Sequence, residues 1–378
     1  MLDTQFEARG RAALNNQSGR FEAHQRGRFD DGWSTQDNET QATPTQFHRE
    51  TPRAVITRNT SPDVPFEQSV NVYRGCEHGC IYCFARPSHS YMGLSAGLDF
   101  ETQIFTKPNA ARLLEEEITR PGYVPQVIAM GTNTDPYQPI ERKLRLTRAV
   151  LDVLSRRNHP VAITTKSDRI LDDIDVLRDM AQRGLVQVCV SVTTLDHQLS
   201  RQMEPRAATP AKRLKTIEAL AQEGIPTSAM IAPVIPGLTD HEIERILAAA
   251  ANAGAKRAGW IMLRLPGDVA PLFEQWLSKH VPSRKSRILS TLRAMRGGKL
   301  NDPRFGNRMR GEGPVAALIA KRFRAAARRN GLSLASGQAL PSDVFDTEAF
   351  PSCKAVRPKR ATRQGPRPHA EPAQLSLF

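Results

Sequence analysis

From residue 69 the chain alternates short apolar runs with longer stretches in which apolar residues recur every three or four positions. The short runs, SVNVY at 69–73, QVIAM at 126–130, VAITT at 161–165, VQVCVSV at 186–192, PTSAMIAPV at 226–234 and GWIMLRL at 259–265, have the length and composition of strands. The longer stretches, such as ARLLEEEI, TRAVLDVLSRR, IDVLRDMAQRG, AKRLKTIEALAQEG and EIERILAAAANAG, have helical periodicity. The last two stop at Gly224 and Gly254, residues suited to closing a helix. Strand-then-helix repeats predict a parallel sheet covered by helices.

Six such units fall two short of a closed eight-stranded barrel. The expected fold class is therefore α/β, a partial (β/α)6 TIM-like barrel with its chemistry on the loops after the strand C-termini. Residues 1–60 are rich in Gln, Asn, Thr, Arg and Gly with few aliphatics, which predicts a polar, largely irregular N-terminal arm. The catalytic core is expected over 61–275 and a basic helical extension over 276–350; after the last strand, residues 267–350 read as helices and loops, including PLFEQWLSKH, RKSRILSTLRAMRGG and GPVAALIAKRFRAAARRNG. A disordered, Pro- and Arg-rich tail is expected over 351–378.

No stretch approaches the roughly 20 consecutive apolar residues of a membrane helix, and the first residues lack the apolar centre of a signal peptide. A cytoplasmic protein with no membrane partner is expected. Lys and Arg outnumber Asp and Glu by 53 to 39, a formal +14, and residues 281–330 hold fourteen Lys/Arg against Asp302 and Glu312. Such a field attracts polyanions, nucleic acid first among them. Arg284, Lys285, Arg287, Arg293, Arg296 and Lys299 form one basic block, and Lys321, Arg322, Arg324, Arg328 and Arg329 a second, with a plain solvated helix surface as the alternative.

The five cysteines stand at 76, 80, 83, 189 and 353, an odd count that makes a poor disulfide framework. Three of them crowd into Cys76-Glu-His-Gly-Cys80-Ile-Tyr82-Cys83, on a loop after the first strand where Gly75 and Gly79 permit tight folding. A 4Fe-4S cube normally takes four thiolates, so three leave one iron open to an exogenous ligand. The alternative is zinc with His78 as a fourth ligand, although zinc usually draws its ligands as two separated pairs.

The motif resembles the Cys-x3-Cys-x-aromatic-Cys signature of the radical S-adenosylmethionine (SAM) superfamily, with Tyr82 in the aromatic slot. The resemblance implies that Cys76, Cys80 and Cys83 bind a 4Fe-4S cluster and that SAM chelates the open iron. One electron, from a reductase such as flavodoxin or ferredoxin, then cleaves the sulfonium to a 5′-deoxyadenosyl radical. It further implies SAM contacts from Tyr82, from Gly131, Thr132, Asn133, Thr134 and Asp135 after the second strand, and from Lys166 and Ser167 after the third. Ser191, Thr193, Glu204 and Arg206 follow in or after the fourth strand, and Ala232 to Gly237 would make an apolar edge for adenine. For each of these, loop shaping or capping is the alternative.

The stretch NVYRGCEHGCIYCFARPSHSYMGLSAGLDFETQIFTK, with GTNTDPYQPIERKLRLTR and the TTKS, VTTLD, MEPRA and APVIPG segments, looks like the spore photoproduct lyase-like branch over roughly residues 55–275. That branch implies DNA lesion chemistry. Two departures argue against the same lesion and hydrogen-return path: Phe84 stands where the lyase has a tyrosine, and no cysteine lies between 83 and 189. Cys189, inside VQVCVSV, reads as a core residue. Tyr137 and Glu141 join Tyr82 as catalytic candidates lining a substrate cavity, against the reading that their Pro-rich loop only starts a helix.

Gln374 to Phe378, QLSLF, resembles the bacterial sliding-clamp-binding pentapeptide, in which two leucines and a phenylalanine fill an apolar groove. A clip onto the protein's own surface is the alternative. The function expected is a radical SAM enzyme acting on nucleic acid, in DNA lesion repair or base modification. The competitors are an RNA- or peptide-modifying radical SAM enzyme and a non-catalytic, clamp-associated Fe-S protein that binds DNA.

Overall fold

The computed structural model describes residues 10–19, 21 and 44–334. Its main sheet has eight strands, of which β3 (Gln68–Val70), β6 (Ile128–Met130), β7 (Val161–Thr165), β8 (Val186–Ser191), β9 (Thr227–Val234) and β10 (Arg257–Met262) lie side by side in chain order. Each of these pairs with the next in parallel. All six apolar runs read as strands are strands, and the parallel partial barrel follows from them. Two strands close the sheet edges: β2 (Ile56–Arg58) runs antiparallel to β3, and β11 (Ser333–Leu334) runs parallel to β10. A second, three-stranded sheet joins β1 (Gln46–Arg49), β5 (Gln103–Thr106) and β4 (Tyr73–Arg74).

The run SVNVY, expected as one strand, is split. It leaves the main sheet after Val70, and Tyr73 pairs with Thr106 of β5 instead. Asn71, at the break, turns its side chain to Thr132 Oγ1 (3.1 Å) and accepts from Asn133 N (3.2 Å), so a polar contact ends the strand.

Helices α3 (Ala110–Ile118), α5 (Leu146–Arg156), α6 (Ile174–Gln182), α8 (Pro210–Gln222) and α9 (Ile243–Asn252) connect the strands, with short α1 (Pro87–Ser90), α2 (Leu98–Thr102), α4 (Glu141–Leu144) and α7 (His197–Met203) in the loops. α8 opens with Thr209 accepting from Lys212 N and Pro210 in the first turn. The strands are buried on both faces, β8 along its whole length, because helices cover a parallel sheet from outside while the barrel interior is packed.

One boundary expected from composition is corrected. Within the described part of the arm over 1–60, β1 and β2 are ordered by backbone pairing, which residue-type counts do not register, and Ala12 and Ala13 are buried. The core does not end at 275, which falls inside α10 (Val269–His280); Trp276 of that helix is fully buried with Ile81, Tyr82 and Met203. α11 (Pro282–Ala294) and α12 (Gly313–Arg329) follow, and α12 lays Ile319 and Phe323 into the main core before β11 rejoins the sheet. The expected tail over 351–378, Cys353 and Gln374 to Phe378 lie outside the described residues. Among the described residues no helix is long and apolar enough to cross a membrane.

The basic extension is less uniform than its sequence. Arg296 is 1 % exposed and donates to the carbonyls of Met262, Leu263 and Arg308 at the end of β10. Arg308 pairs with Asp63 (2.6 Å) and Arg322 with Glu244 (2.7 Å). Arg296→Met would leave three buried carbonyls without a donor, so a loss of about 3 kcal/mol in folding stability is expected by chemical denaturation. A variant as stable as the parent would mean that these carbonyls find other donors.

Candidate functional site

The cysteine loop leaves β4 at Gly75 and turns back on itself at the C-terminal end of the parallel strands. Cys76 N donates to Phe100 O (3.0 Å), Gly79 N to Cys76 O (3.2 Å) and Cys83 N to Cys80 O (3.1 Å). Gly79 has φ +66°, and a Cβ there would stand 2.6 Å from Glu101 Oε2, so only glycine fits. Below the loop, the fully buried Arg86 guanidinium donates to the carbonyls of Gly79 (2.9 Å), Cys80 (2.9 Å), Ala96 (3.0 Å) and Gly97 (2.9 Å). It also pairs with Glu101 Oε1 at 2.5 Å. Glu101 in turn accepts from Ala12 N (3.1 Å) and Ala13 N (3.0 Å), which ties the N-terminal segment beneath the loop.

Cys76 and Cys80 are buried and Cys83 is half-buried. Burial pushes the Cys76 thiol well up, with Asp135 and the other two thiols adding to it. Burial likewise pushes Cys80 up to about 12. Cys76 and Cys80, two buried thiols that resist ionisation on their own, lie within electrostatic reach of Cys83, and such a donor set suits a cationic centre. Three thiolates leave one corner of a 4Fe-4S cluster open, whereas zinc takes four ligands, usually as two separated pairs. His78 faces Asp135 instead, its Nδ1 3.3 Å from Oδ2.

Two buried networks fix the loop to the strand ends. In the first, Asp135 accepts from Thr165 Oγ1 (2.7 Å), Lys166 N (2.8 Å) and Tyr137 N (2.9 Å). Burial alone would raise its carboxyl, but His78 and these donors outweigh it and hold it at about 2. Thr134 Oγ1 donates to Gly75 O (2.7 Å), and Thr132 and Asn133 bond Asn71, so the whole polar segment after β6 is knitted to the loop. Gly131, with φ +87°, passes so close to β7 that a Cβ would lie 1.9 Å from Thr164 O.

In the second network, Tyr82 OH bonds Glu204 and lies 3.3 Å from Thr193 Oγ1, which is 2.8 Å from the same carboxylate. Arg213 closes on the other oxygen of Glu204 and donates to Ser191 O (3.2 Å). Lys166 Nζ lies over the Tyr82 ring, 5.9 Å from its centroid. Glu204 is 1 % exposed with its oxygens engaged, so it braces Tyr82 and the end of β8. Ser167 is buried and caps the turn at Arg169 N (3.2 Å), and Arg206 pairs with Glu77 (3.2 Å) on the outer side of the loop.

The structure does not bring Tyr137 and Glu141 into direct hydrogen bonding with these groups, Asp135 bonding the Tyr137 backbone only. Tyr137 OH donates to Asp173 (3.2 Å), and Glu141 accepts from Tyr73 OH and from Thr147 N (2.8 Å) at the start of α5. Burial raises Glu141 to about 7. Phe84 is 43 % exposed under the Arg264 guanidinium (4.5 Å), and Cys189 is buried within β8, as its apolar run predicts. Arg86, Glu101 and Arg213 escaped the sequence reading as functional parts, since a buried arginine has no local pattern that separates it from a surface one.

A model of the radical SAM superfamily matches residues 70–250, from β3 through most of α9. The chain belongs to the radical SAM superfamily. It is a radical SAM enzyme, and its cofactors are a 4Fe-4S cluster and SAM. An uncharacterized protein of Mycobacterium tuberculosis is 38% identical over 260 residues, covering 68% of this chain and 75% of the relative. An uncharacterized protein of Methanocaldococcus jannaschii is 28% identical over 173 residues, covering 46% of this chain and 62% of the relative. Among solved structures, spore photoproduct lyase complexed with dinucleoside spore photoproduct superposes with a TM-score of 0.56 at 14% identity, over 76% of this chain and 81% of that one. At that identity the likeness shows the fold alone.

Gly131→Ala is expected to lower stability by about 3 kcal/mol, because the methyl must push β6 and β7 apart in a strained backbone. SAM binding by calorimetry should fall by at least about tenfold with it; a variant equal to the parent in both would show room that the structure denies. A second expectation concerns pH. The Glu141 carboxyl holds its proton up to about 7 when folded and up to 4.5 when unfolded, so its burial costs nothing below 4.5. Stability falls as pH rises between those values, by on the order of 3 kcal/mol, and levels off above. Glu141→Gln should remove that fall from the stability-versus-pH curve, and a curve unchanged by the substitution would assign the dependence elsewhere.

Proposed function

We propose that Cys76, Cys80 and Cys83 hold the cluster, that SAM lies across the strand ends above them, and that the substrate is a nucleic acid, a damaged or modified base in DNA. The observation that carries the reading is the trio of thiols, two buried and one half-buried, on a braced loop at the C-terminal end of the parallel strands. When bound, the cluster and SAM supply one-electron cleavage of the sulfonium to a 5′-deoxyadenosyl radical.

The chain's own residues position and enclose that chemistry. Arg86 and Glu101 hold the loop's shape, while the segment from Gly131 to Asp135, with Lys166 and Thr193, offers polar groups beside it. Tyr82, locked by Glu204 and Arg213, presents a fixed wall. Ser167, Ser191, Glu204 and Arg206 act behind these groups as positioning residues. Tyr137 and Glu141 support the second-strand loop from within. Asp135, held ionised, keeps His78 turned away from the thiols.

DNA as substrate draws support from the net positive charge and from the fold-level neighbour that carries a dinucleoside lesion. The pentapeptide from Gln374 to Phe378 would recruit the enzyme to the sliding clamp, and a flavodoxin- or ferredoxin-type reductase in the cytoplasm would deliver the electron. Anaerobically reconstituted protein with reductant should release 5′-deoxyadenosine faster with ultraviolet-irradiated DNA than with intact DNA or tRNA. Cys80→Ala should lose both the cluster's visible absorbance and the release. Equal release with and without nucleic acid, or stimulation by tRNA alone, would remove the DNA reading.

A further inference from the structure

On the outer side of the cysteine loop lies a trough that the reading above does not use. A cavity of about 670 Å³ opens between β1, the loop residue Glu77 and helix α4. A smaller one of about 160 Å³ shares Pro139, Arg169 and Arg206 with it and reaches His78, between two of the site cysteines. Together they are lined by Arg11, Arg142, Lys143, Arg169, Arg206 and Lys212 and by the carboxylates of Glu77 and Asp168; Arg206 pairs with Glu77 (3.2 Å), Lys212 with Asp168 (2.9 Å) and Arg169 with Asp172 (3.1 Å), which leaves the trough net positive. None of these six cations belongs to the basic extension that dominates the sequence's charge pattern; they come from the N-terminal segment and from the loops after β6, β7 and β8.

The charge is built, not scattered. Arg11 and Arg206 both donate to Thr45 Oγ1, at 2.8 and 3.3 Å, and that hydroxyl donates to Glu77 Oε1 at 3.0 Å. Two guanidiniums are thus held side by side at one buried carboxylate. Arg142 and Lys143, on the exposed side of α4, have no acidic partner among the described residues. Phe47, 43 % exposed on β1, is the aromatic side chain in the wall of the larger cavity. A cationic groove with an exposed aromatic face is the chemistry that holds an unpaired strand, phosphates on the cations and a base stacked on the ring.

We propose that this trough binds a single-stranded segment of nucleic acid, with backbone phosphates on Arg142, Lys143, Arg169 and Arg206 and one base stacked on Phe47. A strand held there runs alongside the cysteine loop, so an unpaired nucleotide next to the stacked one is delivered to the mouth of the barrel. The inference rests on the nucleic-acid reading of the site and adds where the strand lies and that it is unpaired.

The test is fluorescence anisotropy of a labelled oligonucleotide of about 12 nucleotides, single-stranded or in duplex, titrated with the full chain at several salt concentrations. The parent should prefer the single strand. The double variant R142E/K143E should bind it at least about tenfold more weakly, with a salt slope smaller by about two; R142Q/K143Q should fall between the two. Phe47→Ala should weaken single-strand binding roughly tenfold while leaving the salt slope unchanged. Iron content and melting temperature report whether each variant is folded.

Parent-like binding by all these variants, with the loss appearing instead in R284E/K285E on α11, overturns the trough and leaves the nucleic-acid reading standing. Preference for duplex in the parent overturns it too. If the trough variants lose only binding of inorganic phosphate and the parent binds no oligonucleotide, the trough is a small-anion site and both readings fall. Strand binding that needs the trough, combined with nucleoside release indifferent to DNA, supports the trough and sinks the proposed substrate.

Discussion

Between Cys76 and Cys83 the backbone belongs to no helix or strand, yet it is buried, and buried carbonyls must find donors. Arg86 meets that demand by spreading one planar guanidinium over four carbonyls, two of them in the loop itself, and Glu101 neutralises it from beneath. A lysine could not make that fork of contacts. Since Glu101 also gathers the N–H groups of Ala12 and Ala13, the same ion pair fastens a polar N-terminal segment to the core. The shape of the loop that carries the three thiols is therefore held by a buried cation bonded to its backbone.

On either side of the loop, one carboxylate organises what faces the barrel mouth. Asp135 collects donors from the third-strand loop and from His78, and Glu204 collects Tyr82, Thr193 and Arg213. Both are buried acids surrounded by donors, an arrangement that fixes geometry even where it adds little net stability. Groups held this way need not reorganise when a charged cofactor arrives, the condition under which fixed dipoles are most effective.

The charge of the chain divides into structural and outward-facing parts. Arg86, Arg213 and Arg296 lie inside the protein, and Arg308 and Arg322 are matched to acids. Toward solvent near the site stand Arg142 and Lys143 on α4, with no acidic partner among the described residues, beside Arg169, Arg206 and Lys212, each of which pairs with an acid.

The sequence alone located all six core strands, their parallel order and the thiol loop, because strand burial and cysteine spacing are written locally: VAITT and VQVCVSV have nowhere else to go than the inside of a sheet, and the thiols of Cys76 and Cys80 can converge only if the three residues between them turn tightly. Composition does not register order that comes from backbone pairing, as in β1 and β2, or a single residue that redirects the chain, as Asn71 does inside SVNVY. Only the tertiary structure decided which arginines serve the core, which acid braces Tyr82, that Tyr137 and Glu141 turn inward, and that residues from four separate loops share one cationic trough. Those include contacts between residues 122 and 161 positions apart, and no periodicity or spacing encodes a partner at that distance.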